Sequence, residues 1–91
     1  MKTIDTYTCD LPQYAVCPLA YGDYSAMDDD QSALVGAFEA SMAKMQVELG
    51  ATSQIYEYSD ETNFTHRPVF GLAADCVELV VTFFGPDTEG K

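Results

Sequence analysis

The sequence predicts an α+β domain: an antiparallel sheet of about three strands with one short and one long helix packed on one face. Three observations predict it. Alternating segments rich in β-branched and aromatic residues stand near the start of the chain and in its second half. Between them, a long stretch from Asp28 carries apolar residues at helical spacing. The 91 residues contain no long polar linker, so the reading is one core and one domain over 1–91, with mobile ends at 1–2 and 86–91.

Each element has a local reason. Residues 3–9 alternate and read as a strand, which Leu11 and Pro12 break. Pro12 suits the first turn of a short helix through 13–16, and Pro18 is expected to end or tighten it. Residues 21–25 read as a turn around Gly22. In the long helix, Leu34, Phe38, Met42, Met45 and Leu49 form the predicted buried stripe. Asp28 is placed as its N-cap with Gln31 completing a capping box, Asp29 and Asp30 favour the positive end of the helix dipole, and Gly50 is the stop. Residues 53–58 alternate as a second strand, and 60–63 read as an exposed turn. In residues 76–84, Val77, Leu79, Val81 and Phe83 point one way, which predicts a central strand ended by Gly85 and Pro86.

Charge narrows the function. Fifteen Asp and Glu stand against four Lys and Arg, giving a formal net charge of -11. The basic residues Lys2, Lys44, Arg67 and Lys91 are scattered, so neither a nucleic-acid backbone nor an anionic membrane finds the cluster it requires. A cationic partner is favoured instead, because a field of like charges speeds encounter with a basic surface. The hydrophobic fraction of 47% is that of a folded domain, so the charge does not imply disorder. No apolar run is long enough to cross a bilayer. The odd set Cys9, Cys17 and Cys76 forms no C-x-x-C pair, which points to reduced thiols and a cytoplasmic location.

The inventory for catalysis is thin, and the chain is expected not to be an enzyme and to need no cofactor. His66 is the one histidine, and no local motif couples it to a cysteine nucleophile. Zinc could use Cys9, Cys17, Cys76 and His66 by type, but the spacing lacks the close ligand pairs of structural sites, so the thiols read as small buried hydrophobes. The run of Asp28, Asp29 and Asp30 lacks the alternate ligands and central glycine of a calcium loop. Six tyrosines are numerous for this length and suit a protein-binding face, although Tyr7 and Tyr56 are assigned to the edge of the core.

Leu11-Pro12-Gln13-Tyr14, followed by the run from Tyr21 to Asp30 and by the aliphatic ending from Gly71-Leu72 to Phe83, resembles a family of small acidic domains of bacteria, phages and plasmids. That family carries no established activity. Its motifs are short, and Pro18 stands where such sequences more often have a helix former. Size, acidity and the missing catalytic set also resemble, in function rather than motif, the anti-CRISPR and anti-restriction proteins of mobile elements, several of which imitate DNA phosphates. What this implies is an inhibitor that occupies the basic nucleic-acid-binding surface of a host nuclease or CRISPR effector complex, as a monomer or homodimer, without binding nucleic acid itself. The candidate contacts are Asp23, Tyr24, Asp28, Asp29, Asp30, Glu39, Glu57, Asp60 and Glu61. The alternative is an accessory or structural domain that binds a protein through an apolar, tyrosine-bearing face.

Overall fold

The computed structural model describes residues 1–70 and 74–86. Part of the aliphatic ending that carries the resemblance, at residues 71–73, and most of the tail expected to be mobile, residues 87–91, lie outside that range. The elements run β1 (Lys2–Pro12), a 3-10 turn (Gln13–Ala15) leading directly into α1 (Val16–Tyr21), α2 (Asp29–Leu49), β2 (Ser53–Thr65) and β3 (Ala74–Gly85). The three strands form one antiparallel sheet in the order β1-β3-β2. The α+β architecture, with one short and one long helix, is the predicted one.

β3 is central for a physical reason. Its inward row of Val77, Leu79, Val81 and Phe83 is at most 8% exposed, which requires cover from neighbours on both sides and from helices above. Cross-strand rows extend this core: Tyr7, Val81 and Tyr56 stand in register, as do Cys9, Leu79 and Tyr58. Leu11, Ala15, Val35, Phe38 and Met42 complete it from β1, the 3-10 turn and α2. Phe38 is the hub, with ring centroids 6.5 Å from Tyr7, 6.3 Å from Tyr56 and 6.0 Å from Phe70.

The predicted helical stripe holds at Phe38 and Met42, whereas Leu34, Met45 and Leu49 are only half-buried. Val35, outside that stripe, is fully buried. A helix lying on a sheet buries a band wider than one i, i+4 row, and Val35 lies one turn before Phe38 on the same side. The helix boundaries follow the predicted signals. Asp28 Oδ1 accepts from Gln31 N at 2.8 Å, Gln31 Oε1 accepts from Asp28 N at 3.3 Å, and Gly50 ends the helix with φ 72°.

Three local expectations are corrected. Leu11 and Pro12 do not break the first strand: they are the last two residues of β1, paired with Val77 and Cys76. Pro18 does not end the short helix: it is the third residue of α1, a first-turn position whose missing N–H leaves no intrahelical bond unmade. The helix continues to Tyr21, and Gly22, at φ 71°, donates its N–H to Pro18 O at 2.9 Å. Residues 60–63, predicted as a turn, belong to β2. Tyr58 pairs with Leu79 and Thr62 with Val77, four steps on β2 against two on β3, so the polar stretch is absorbed as a bulge. An edge strand tolerates this because one side of it faces solvent.

A second bulge falls at Ile4, between the pairs Thr3 with Phe84 and Asp5 with Phe83. The outer sheet face carries Thr6, Thr8, Val80, Thr82 and Phe84, together with Ile55, which is 53% exposed. Among the described residues, no helix is long and apolar enough to cross a membrane.

Candidate functional site

No charged side chain is buried among the described residues, so the carboxylates of this acidic chain are presented to solvent. On the helix side, the α1–α2 connection gathers a set of them. After Gly22, the Asp23 carboxylate accepts from Ser25 N at 3.0 Å and from Ser25 Oγ at 2.7 Å, and these bonds hold its pKa below the usual carboxylate value. Met27 N donates to Tyr24 O at 3.2 Å, which turns the chain into the Asp28 cap. Asp29 and Asp30 occupy the first turn of α2.

Tyr24 ties this connection to the middle of the helix. Its Oη donates to Glu39 Oε1 at 2.7 Å, a bond that also pushes the phenol pKa up. Glu39 is eleven residues beyond Asp28, or about 16 Å along the helix axis. Tyr56 and Tyr58 of β2, whose rings meet edge to face at 6.5 Å, lie within reach of the Glu39 charge. Burial first, and the Glu39 carboxylate second, push both phenols upward, Tyr56 to about 12. Tyr58 Oη is buried without a hydrogen-bond partner.

The structure therefore gathers Asp23, Tyr24, Asp28, Asp29 and Asp30 along the α1–α2 connection and ties Glu39 to Tyr24, whereas Asp30 and Glu39, nine residues apart on α2, point to opposite sides of its axis. It does not bring Glu57 to them. Glu57 pairs in register with Val80, and strand alternation sends it to the opposite side of the sheet from Tyr56 and Tyr58. That outer face also carries Asp10 and Glu78, directly opposite each other. Asp60 and Glu61 lie in the β2 bulge. Sequence reasoning did not connect Tyr56 and Tyr58 with Glu39. The alternation of residues 54–58 placed both tyrosines on one face, but only the packing of α2 decided which carboxylate lies above them.

The thiols and the histidine stand apart from this cluster. Burial pushes the Cys9 thiol up to about 11, with Asp10 adding to the effect, so it is protonated and weakly nucleophilic at neutral pH. Cys76 is buried and its Sγ–H donates to Ala74 O at 3.5 Å, while Cys17 is exposed. The assignment of all three as buried hydrophobes thus holds only at Cys76: Cys9 is half-buried and Cys17 is exposed on the short helix. The exposed His66 packs edge-on against Phe64 at 5.1 Å. Among the described residues, no group of three His, Cys, Asp or Glu is placed to hold a metal ion.

On the β1 side of α2 an open cleft of about 330 Å³ is lined by Tyr7, Leu34, Ala37, Phe38, Ser41 and Phe70, among others. It is mainly apolar and holds no cluster of titratable groups. Compared with known proteins, the chain matches no family model, no curated protein and no solved structure.

Proposed function

We propose that the chain is a non-enzymatic acidic binding protein that docks its helix side on a basic, nucleic-acid-binding surface of a host protein. In this reading it is an inhibitor of the anti-CRISPR or anti-restriction type from a mobile element, working in the cytoplasm. One observation carries the proposal: exposed carboxylates gather at the α1–α2 connection, Asp23 held by an Asp–Ser turn and Asp28 by a capping box beside Asp29 and Asp30, while the Tyr24 bond holds Glu39 farther along α2. Fixed anions lose less entropy on docking than mobile ones, and tyrosine beside them adds contact area. The outer carboxylates Glu57, Asp10 and Glu78, and Asp60 and Glu61 in the bulge, contribute to the long-range field that accelerates encounter.

The test is displacement of labelled DNA from purified restriction nucleases and CRISPR effector complexes. The expected result is displacement from at least one of them, falling steeply with salt and lost when Asp23, Asp28, Asp29 and Asp30 are replaced by Asn. Failure to displace DNA from any would overturn the proposal. Displacement unaffected by salt and by the four substitutions would favour the second reading, an interaction domain using an apolar surface. That reading is supported by the outer sheet face, which carries the half-buried Val80 and Phe84 beside Ile55, 53% exposed.

A further inference from the structure

The carboxylate of Glu39 accepts from a tyrosine hydroxyl, and its charge reaches two more tyrosines on β2. Helix neighbours at three and four residues are Val35, Gly36, Met42 and Ala43, so no cation on α2 pairs with it. The surface around it is low: Gly36, Ala40 and Ala43 are small and exposed, and a Cβ at Gly36 would meet nothing within 4 Å. Tyr24 occupies Oε1. Tyr56 and Tyr58 lie on the sheet side, with Tyr56 also packed edge-on against Phe38, the residue preceding Glu39.

We infer that Glu39, flanked by Tyr24, Tyr56 and Tyr58, is the seat for an arginine side chain of the basic partner. This rests on the proposed docking of the helix side against a cationic surface and names the residue type read there. A guanidinium is planar, pairs with a carboxylate through two N–H groups and stacks on aromatic faces, while an ammonium is a compact, strongly hydrated point charge. The site therefore discriminates arginine from lysine. The open acidic turn at Asp28, Asp29 and Asp30 takes either, since it offers charge without rings.

Hexa-arginine and hexa-lysine peptides at low salt are the probes, followed by intrinsic tyrosine fluorescence, which is unmasked because the chain has no tryptophan. Wild type is expected to bind hexa-arginine about tenfold more tightly than hexa-lysine. Glu39→Gln, whose amide oxygen can still accept from Tyr24, should abolish that preference, and so should Tyr24→Ala. The triple variant D28N/D29N/D30N should weaken both peptides equally and keep the preference. If Glu39→Gln leaves the preference intact, or wild type shows none while the triple variant loses both peptides, the arginine seat is wrong and the acidic docking face stands. If neither peptide binds wild type, both fail.

Discussion

Asp10 of β1 and Glu78 of β3 stand directly opposite each other on the outer face of the sheet, both exposed. Like charges at a cross-strand pair are destabilising, and this pair sits in a molecule of net charge -11. Glu78→Gln should therefore raise stability by about 0.5 kcal/mol. Urea denaturation at low and high salt checks it: the gain should shrink as salt screens the pair. A loss of stability, or a gain indifferent to salt, would show that the two carboxylates do not repel.

Gly85 and Ile4 meet where β1 bulges. A side chain at Gly85 would collide with Ile4 Cδ1 and come within 3.2 Å of Ile4 Cγ1. The colliding atom is the far end of a half-buried side chain, which can rotate away, so Gly85→Ala is expected to cost about 1 kcal/mol, the scale of an off-rotamer shift. Adding Ile4→Ala should recover part of the loss, so a double-mutant cycle would be non-additive. Strict additivity would count against the contact.

The Asp28 cap separates folding from docking. Asp28→Ala removes both the acceptor for Gln31 N and the anion at the helix start, at a cost of about 1 kcal/mol. Asp28→Asn keeps a good cap while removing the charge, so its thermal midpoint should stay near wild type. Equal destabilisation by the two would mean that charge, and not the hydrogen bond, holds this turn.

Alkaline pH should weaken the fold in a defined window. Cys9 rises from 9.0 to about 11 and Tyr56 from 10.0 to about 12 on folding, mainly through burial. The folded state thus holds protons that the unfolded chain releases first. The associated stability is fully present below about pH 9 and is lost as pH rises through the folded values. Urea midpoints should fall from about pH 9 upward, and Cys9→Ser should flatten the first part of the decline. A decline of unchanged shape in that variant would remove Cys9 as its source.

Thiol labelling follows from burial. At neutral pH, exposed Cys17 should react with iodoacetamide at least tenfold faster than Cys9 or Cys76, which become reactive only on unfolding. Mass spectrometry of digests resolves the three sites. Comparable rates would mean that the sheet opens far more readily than its packing implies.

Most of the secondary structure was legible because its signals are local. The capping box at Asp28 and Gln31, the stop at Gly50 and the inward row of β3 each depend on residues within a few positions of one another. The errors arose where a local signal competes with a distant partner. The polar run at 60–63 looks like a turn until β3 supplies a ladder for it, and Pro18 looks like a stop until its first-turn position makes the missing N–H harmless.

The candidate site divides the same way. Sequence by itself determined the acidity, the single helical face and the group from Asp23 to Asp30, since neighbours in the chain must be neighbours in space. Only the tertiary structure decided that Tyr24 bonds Glu39 and that Tyr56 and Tyr58 lie within reach of its charge, while Glu57 faces away. The distance between a helix and the strand that follows it depends on how their buried faces pack, and side-chain periodicity describes each face without stating what lies across from it.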